Sequence, residues 1–341
     1  ATNNDETITI LLSGEIYNSS ELLRYSDALV TKSIPEQLLN LYQKYGVSFL
    51  ELLNGQFVLC ICDSTKNEIL LARDKVGISP IYYSSINDSF VFASEMKSIF
   101  ECPGFSAKIS PTALKQCATF WSILAPNTIF ENVFELPGGH YIILKESSPS
   151  VVKYWDYPIC SPLEYTTHSI HESIEELDAL LKDAVKIRVS AADNFGAYLS
   201  GGLDSSVTTS YIKELYPDIN LDTFSISFEN ANFDESSYQQ LAVDYFKTNH
   251  SKVICSDNDI VNNFEQVIWF AENPLLRTGP IPMYLLSKLA RKSSMQTIIS
   301  GEGADEVLGG YNIFKEALIR EFWAHDPSSQ YRPLLLQKLY P

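Results

Sequence analysis

The sequence FGAYLSGGLDSS, residues 195–206, decides the fold of the second half of the chain. Its apolar start, Phe195–Leu199, predicts a short strand, and a helix is predicted to begin directly behind the glycine pair. Glycines let a backbone approach a ligand closely, and the unpaired N–H groups of a helix start favour a phosphate. No lysine precedes the last two serines, so the loop is not of the Walker type. We therefore expect a phosphate-binding loop, although a serine-capped turn can have the same pattern.

Strands and helices are predicted to alternate along the second half of the chain. The other predicted strands are Thr223–Phe228, Lys252–Cys255 and Gln296–Ser300. The predicted helices are Ser205–Leu215, Glu235–Lys247, Asp259–Ala271 and Pro282–Arg291. Such alternation is typical of an α/β fold with a parallel sheet and helices on both faces. Ligands bind such sheets at the carboxyl ends of the strands, so the loops that follow the strands are the candidates for a site.

A second loop of unusual composition follows the strand Gln296–Ser300. It reads GEGADEVLGGY, residues 301–311, and combines acidic residues with glycines. Magnesium typically takes one or two protein carboxylates and completes its shell with phosphate oxygens and water. Asp204, which would repel a bare phosphate, and Asp305 are therefore the predicted magnesium ligands. The alternatives are a helix cap for Asp204 and a solvated acidic loop for residues 301–311.

The first half of the chain has a different pattern. Its apolar runs are short, rich in β-branched and aromatic residues, and separated by turn residues, which predicts antiparallel hairpins. The predicted strands are Thr7–Leu12, Phe57–Asp63, Glu68–Ala72, Ile81–Tyr83, Ser89–Ala93 and His140–Leu144. Two helices, near Pro35–Tyr45 and Pro111–Thr119, interrupt them, and Ser161–His171 is a predicted linker. We therefore predict two domains, residues 1–160 and 161–341.

Composition argues against several classes of function. The chain has 341 residues and a formal net charge of −17, which disfavours nucleic-acid binding because an acidic surface repels phosphate backbones. No apolar run is long enough to cross a bilayer, so we expect no membrane partner. The six cysteines show neither metal-site spacing nor a disulfide framework, which favours a reducing cytoplasm. The chain does not begin with methionine, and we expect it to be cut from a longer one.

Both loops of the second half resemble those of one enzyme family. SGGLDSS, residues 200–206, looks like the pyrophosphate-binding loop of the ATP-pyrophosphatase superfamily, and GEGADEVLGGY is similar to the GEGSDE-x-x-GGY loop of the asparagine synthetases. The resemblance implies that the enzyme cleaves ATP between the α and β phosphates and adenylates a carboxylate. It implies an adenine pocket lined by Leu199, Ile226, Ser300 and Gly301. It also implies that pyrophosphate is held by Ser200, Gly201, Gly202, Leu203, Asp204, Ser205 and Ser206.

Two further residues, Glu302 and Arg277, are candidates for catalysis. Glu302 could position or deprotonate the attacking amine. Arg277 could pair with a substrate carboxylate, and it is placed like the aspartate-contacting arginine of the family. The threonines that precede that arginine in the family are Pro274 and Leu275 here, so the acid is expected to be aspartate or a similar carboxylate. An ordinary surface ion pair is the alternative for Arg277.

The first half resembles the class II glutamine amidotransferases. SGEIYN, residues 13–18, looks like the NGEIYN segment of that family, and Arg73–Tyr83 and Leu136–His140 continue the match. The resemblance implies an α+β fold, the αββα sandwich of the N-terminal nucleophile (Ntn) type, present here in part because the nucleophilic cysteine and the HRGPD segment are missing. The α/β ATP-pyrophosphatase domain is likewise expected to be partial at its C-terminus.

The glutamine site implied by this resemblance carries two substitutions. Its residues here are Ser13, Gly14, Glu15 and Ile34. Ser13 replaces the family's oxyanion-hole asparagine, and the loss of such a donor weakens transition-state stabilisation. Ile34 falls where the family has an aspartate for the glutamine α-amine, and an apolar side chain cannot pair with an ammonium. We therefore predict a weakened or inactive glutaminase site, with a local misalignment as the alternative.

Three functions are compatible with the sequence. The first is a cytoplasmic ligase of asparagine biosynthesis that uses ATP and Mg²⁺ to join aspartate or a similar acid to ammonia or to nitrogen from glutamine. It would release AMP and pyrophosphate. The second is an amide-forming enzyme of secondary metabolism with another amine, like the β-lactam synthetases, which do not keep the acidic residue found at Glu302. The third is a catalytically silent nucleotide-binding protein, and a homodimer is compatible with each.

Overall fold

The computed structural model describes residues 1–25, 33–145, 148–158, 168–192, 194–230 and 234–339. Two compact units are formed, one by Ala1–Ala179 with Asn258–Ile281 and the other by Leu180–Asp257 with Pro282–Pro341. They are referred to as the first and the second unit. The predicted boundary at residue 160 lies outside the described residues and stays a prediction.

The predicted strands and helices are confirmed, with bounds that shift by at most four residues. The strands are β1 Ile8–Ile16, β2 Gly55–Asp63, β3 Glu68–Arg73, β4 Tyr82–Ile86, β5 Ser89–Ala93, β6 Phe134–Glu135, β7 His140–Lys145, β8 Ser148–Lys153, β9 Phe195–Tyr198, β10 Asp222–Phe228, β11 Asn249–Cys255 and β12 Thr297–Ile299. The α-helices are α1 Ser19–Leu22, α2 Ile34–Tyr45, α3 Met96–Phe100, α4 Pro111–Phe120, α5 Ile170–Ser190, α6 Leu203–Leu215, α7 Ser236–Phe246, α8 Asp257–Ala271, α9 Pro280–Lys292, α10 Ala304–Leu308, α11 Asn312–Ala324 and α12 Leu334–Leu339. A 3₁₀ helix, Gly46–Leu52, follows α2. Within the described ranges, no helix has the length and apolar character needed to span a membrane.

The first unit is a sandwich of two antiparallel sheets between helices. Its five-stranded sheet has the order β1-β2-β3-β7-β8, and its three-stranded sheet has the order β5-β4-β6. Alternate residues of β2 face opposite sides, so that Leu59 and Ile61 join the apolar cluster of α2, while Val58 and Cys60 pack with Tyr83 of the other sheet. Helices α3 and α4 pack on the three-stranded sheet. The layers therefore run helix, sheet, sheet, helix, and the αββα prediction is confirmed.

The predicted linker Ser161–His171 ends two residues earlier than predicted, because helix α5 already begins at Ile170. The Ser169 N–H and hydroxyl both donate to the Glu172 carboxylate, at 2.7 and 2.8 Å. The Glu172 N–H donates back to Ser169 Oγ at 3.3 Å, which completes a capping box and starts the helix inside the predicted linker. Residues 159–167 of the same region lie outside the described residues.

The second unit is built on a parallel sheet with the order β11-β10-β9-β12. The chain adds β10 and β11 on one side of β9 and then returns to place β12 on the other side. The direction of strand addition therefore reverses between β9 and β12, which is where open α/β sheets bind their ligands. The predicted parallel α/β fold is confirmed.

Candidate functional site

A cavity of about 350 Å³ opens at the carboxyl ends of β9, β10 and β12 in the second unit. The residues with a predicted nucleotide role that line it are Leu199, Ser200, Gly202, Asp204, Ser205, Ile226, Ser300 and Gly301. Glu302 and Asp305 line the same cavity. Within the described loop after β9, Gly201, Leu203 and Ser206 do not belong to the lining, and the Leu203 side chain is exposed. Most of the predicted site is thus brought together in one place.

Serine side chains hold the loop after β9 in shape. Ser200 Oγ lies 3.0 Å from Ser205 Oγ and accepts a hydrogen bond from the Gly202 N–H at 3.2 Å. Gly201 has a φ of +81°, and a Cβ there would lie 2.6 Å from the carbonyl carbon of Tyr238. Helix α6 begins behind Gly202, which has no side chain to cap the first N–H groups. These groups have no partner inside a helix and suit a phosphate.

The loop after β12 packs directly on the loop after β9. A Cβ added to Gly301 would lie 2.8 Å from the carbonyl carbon of Asp204 and 3.0 Å from the amide nitrogen of Ser205. Only glycine allows two backbones to approach so closely. Helix α10 begins at Ala304, so Asp305 lies in its first turn and lines the same cavity as Asp204. The two predicted magnesium ligands therefore meet at one cavity.

Acidic side chains give the loop after β12 a negative field. The Glu306 carboxylate accepts a hydrogen bond from the Tyr311 hydroxyl at 2.9 Å and raises the pKa of Tyr311, and the charges of Asp305 and Glu302 act in the same direction. Such a field favours a cation. Among the described residues, no three His, Cys, Asp or Glu side chains are grouped closely enough to hold a metal by themselves. The arrangement fits Mg²⁺ held by one or two carboxylates together with nucleotide phosphates.

A buried polar network borders the cavity, with Ser225 and Gln239 in its lining, and was not predicted. Gln239 of α7 is 4% exposed; its Nε2 donates to the Ile226 carbonyl at 2.7 Å, and its Oε1 accepts from the Ser225 hydroxyl at 2.9 Å. Because the Ser225 hydrogen is used in this way, the His250 Nε2–H must donate to Ser225 Oγ, 2.9 Å away. Burial, with the nearby charge of Lys252, lowers the pKa of His250 and favours this neutral ring.

Arg277, the other candidate for catalysis, lies in the first unit. Its guanidinium stacks on the ring of Trp121, 4.3 Å from the ring centroid. Trp121 follows α4 and has a left-handed backbone conformation. The pairing of Arg277 with a substrate carboxylate stays a prediction.

The residues of the predicted glutamine site also lie in the first unit. Ser13, Gly14 and Glu15 belong to β1, which is an edge strand paired with β2. Ile34 is the first residue of α2 and packs, partly buried, against the apolar cluster below that helix. Its side chain therefore contributes to packing, and the predicted loss of glutaminase activity stays a prediction.

Two family models match the chain, one in each half. Residues 1–155 match the glutamine amidotransferase domain, and residues 176–340 match asparagine synthase. The chain is 35% identical over 309 residues to the Methanocaldococcus jannaschii protein assigned as asparagine synthetase (glutamine-hydrolyzing) 2, which covers 89% of this chain and 59% of that protein. It is 32% identical over 336 residues to asparagine synthetase (glutamine-hydrolyzing) 1 of Bacillus subtilis, which covers 97% of this chain and 52% of that protein.

A similar solved structure is the glutamine phosphoribosylpyrophosphate amidotransferase of Bacillus subtilis, complexed with ADP and GMP. The TM-score is 0.31 and the identity 17%, over 70% of this chain and 51% of that one. The chain spans between 52% and 59% of the length of the curated relatives named above. The two family matches follow one another along almost the whole chain. The chain therefore belongs to the asparagine synthetase family, as a glutamine amidotransferase domain followed by an asparagine synthase domain.

Proposed function

We propose that the whole protein is an ATP-dependent ligase that converts a carboxylic acid, aspartate or a similar acid, into an amide. The observation that carries this proposal is the close contact of Gly301 with Asp204, which joins the loops after β9 and β12 at one cavity. One loop offers N–H groups for phosphates, and the other offers carboxylates for their counter-ion. Membership of the asparagine synthase family supports the use of ATP.

The reaction needs ATP because a carboxylate is a poor electrophile and its condensation with ammonia is uphill. Adenylation attaches a good leaving group to the acid and releases pyrophosphate, and attack by the amine then releases AMP. In this proposal Ser200–Ser206 hold the pyrophosphate, while Leu199, Ile226 and Ser300 with Gly301 hold the adenine. The cavity lining supports most of these assignments.

Asp204 and Asp305 are the proposed ligands of Mg²⁺. Each lies in the first turn of a helix, α6 and α10 respectively, and both line the same cavity. Bound Mg²⁺ would neutralise charge that develops on the departing pyrophosphate. Glu302 and Glu306 line the same cavity, so the acidic charge there also supports a cation at this place.

Glu302 of the second unit and Arg277 of the first unit each have a proposed role of their own. Glu302 lines the cavity directly after Gly301, where its carboxylate can accept a proton from the attacking amine or orient that amine. Arg277 binds the carboxylate of the acid through its planar guanidinium. Ammonia is the amine, and glutamine serves as its source only as far as the substituted site at Ser13 and Ile34 allows. A cytoplasmic location and a homodimer stay predictions.

The test is AMP release from ATP and Mg²⁺ by the full-length natural protein, with aspartate as the acid and ammonium or glutamine as the nitrogen donor. We expect AMP and asparagine with ammonium and much less with glutamine, because Ser13 and Ile34 weaken the glutaminase site. Equal rates with both donors would show that the glutamine site works and would leave the ligase intact. No AMP with aspartate or related acids, with either donor, would refute the ligase.

The Asp204→Asn variant tests the metal assignment. We expect AMP release to fall by about a hundredfold, since a bound metal contributes several kcal/mol of charge stabilisation. Asp218→Asn is the matched control, because Asp218 is an exposed aspartate on the turn behind α6. Unchanged AMP release in Asp204→Asn would refute the assignment of Asp204 as a Mg²⁺ ligand.

A further inference from the structure

Helix α8 is followed by a residue with an unusual backbone conformation. Glu272 comes directly after Ala271, the last residue of α8, and has a φ of +52°. This left-handed conformation is unfavourable for a residue other than glycine, and it persists only where surrounding contacts determine it.

The side chain of Glu272 makes those contacts. Its Oε2 accepts a hydrogen bond from the Met96 N–H at 2.6 Å, and its Oε1 accepts one from the Lys97 N–H at 2.7 Å. Lys97 Nζ lies 3.3 Å from the same Oε1 and donates to the Trp269 carbonyl at 3.3 Å. The Glu272 side chain is only 8% exposed. Two backbone donors and one charged donor thus fix both the position and the orientation of the carboxylate.

Glu272 caps the start of helix α3, which has no capping side chain of its own. Helix α3 begins at Met96, and its own N-cap residue, Glu95, makes no side-chain capping hydrogen bond. Glu272 belongs to the asparagine synthase match, residues 176–340, whereas α3 belongs to the amidotransferase match, residues 1–155. Both lie in the first unit. The hydrogen bonds therefore tie a segment of the synthase sequence to a helix of the amidotransferase domain.

The segment that leaves Glu272 carries Arg277. The Arg277 guanidinium stacks on Trp121, which directly follows α4. Glu272, directly before residues 273–279, binds the start of α3 through its carboxylate. Arg277, near the other end of this segment, makes a cation–π contact with Trp121 behind α4. The segment is thus attached near both ends to helices of the amidotransferase domain. A cation–π contact alone is weak at an exposed site, so the carboxylate is the stronger of the two attachments.

We propose that Glu272 is a positioning residue for Arg277. Helix α3 thereby sets where the guanidinium of Arg277 is presented to the acid. This inference rests on the proposed function, in which Arg277 binds the acid. Loss of the Glu272 carboxylate frees the start of the 273–279 segment and weakens binding of the acid, while the loops after β9 and β12 in the second unit keep their contacts.

The kinetic test compares Glu272→Gln and Glu272→Ala with wild type, in the full-length natural protein. Glu101→Gln is the matched control, because Glu101 is an exposed glutamate at the other end of α3. In the Glu272 variants we expect the KM for the acid to rise by about tenfold to a hundredfold, the range for a lost charge-assisted hydrogen bond. The KM for ATP should stay within about twofold of wild type. Parallel rises in both KM values would indicate a general structural defect and refute the positioning role.

A second measurement does not depend on the ligase activity. Under native conditions, trypsin should cleave after Arg277 about tenfold faster in Glu272→Ala than in wild type, because local opening of the segment becomes easier. Cleavage after Lys252, in the second unit, is the internal control. Faster cleavage after Arg277 alone, with no AMP formed by wild type, would refute the ligase and leave the positioning of Arg277 supported. The inference would be overturned if the rate of cleavage after Arg277 and the KM for the acid in the Glu272 variants both equal those of Glu101→Gln. If Glu272→Ala does not fold, Glu272→Gln keeps the side-chain volume and serves in both measurements.

Discussion

Replacing Gly301 by alanine tests the contact on which the candidate site depends. The added Cβ would lie 2.8 Å from the carbonyl carbon and 2.9 Å from the Cβ of Asp204, and 3.0 Å from the Ser205 amide nitrogen. Carbon atoms in good contact are about 3.5 Å apart, so the two loops must separate by roughly 0.7 Å. None of these atoms is the end of a flexible side chain, so the backbone of the loop after β9 has to move.

A movement of this size displaces Asp204 relative to Asp305 and to the N–H groups at the start of α6. A misplacement of about 1 Å can lower a rate roughly a hundredfold. We therefore expect kcat/KM for AMP release to fall by between about tenfold and a hundredfold, which corresponds to roughly 1.4 to 2.7 kcal/mol. Overpacking should also lower the free energy of unfolding of Gly301→Ala, by about 1–3 kcal/mol.

The assay is AMP release at low ATP concentration, at a temperature where urea unfolding shows that the variant is folded. Gly279→Ala is the control for the free energy of unfolding, because a Cβ at Gly279 would meet no atom within 4 Å. Wild-type kcat/KM in a folded Gly301→Ala protein would refute the argument that the two loops must touch. An equal loss of stability in Gly279→Ala would show that the destabilisation of Gly301→Ala does not come from this contact.

Two further predictions concern buried polar groups. Tyr42→Phe removes a hydroxyl that donates to Asp63 Oδ2 at 2.9 Å, so the free energy of unfolding in urea at pH 7 should fall by about 1–3 kcal/mol. Burial opposes the charge of Asp63, but hydrogen bonds from Thr65, Tyr42 and Lys66 lower its pKa. Wild type therefore loses this stability as pH falls below about 4, and Tyr42→Phe should lose less. If the free energy of unfolding falls equally in both proteins below about pH 4, the hydrogen bond from Tyr42 does not lower the pKa of Asp63. Burial lowers the pKa of His250, so its contribution to the free energy of unfolding is present above about pH 6.5 and is lost as pH falls below that value. In His250→Gln, the free energy of unfolding should therefore change less between about pH 7 and 5 than in wild type. An unchanged slope over this range would refute the prediction.

The loops of the second unit could be predicted because their chemistry is local. SGGLDSS and GEGADEVLGGY each follow a short apolar run, and a strand and a helix on either side fix the direction in which each loop points. The rule that ligands bind at the carboxyl ends of parallel strands then places both loops at one edge of the sheet. No local sequence pattern predicts that β9 and β12 are neighbours in the sheet, with Phe195 paired to Thr297.

Contacts between distant residues could not be predicted in this way. Glu272 and Met96 are 176 residues apart, and the sequence around Glu272 shows only the end of a helix. A single glutamate at such a position is normally solvated. Its burial, and the membership of Asn258–Ile281 in the first unit, follow from packing that a pattern of apolar residues does not encode.

The polar network that borders the cavity could be predicted only in part. Thr223, Ser225 and Ser227 occupy alternate positions of β10, although a strand inside a parallel sheet is normally apolar on both faces. Three buried hydroxyls on one face therefore require partners, because an unpaired buried hydroxyl is costly. Gln239 and His250 provide those partners for Ser225, from α7 and from the next strand. Since Gln239 also binds the carbonyl of Ile226, the residue implied to face the adenine, the placement of that backbone depends on a side chain that no motif contains.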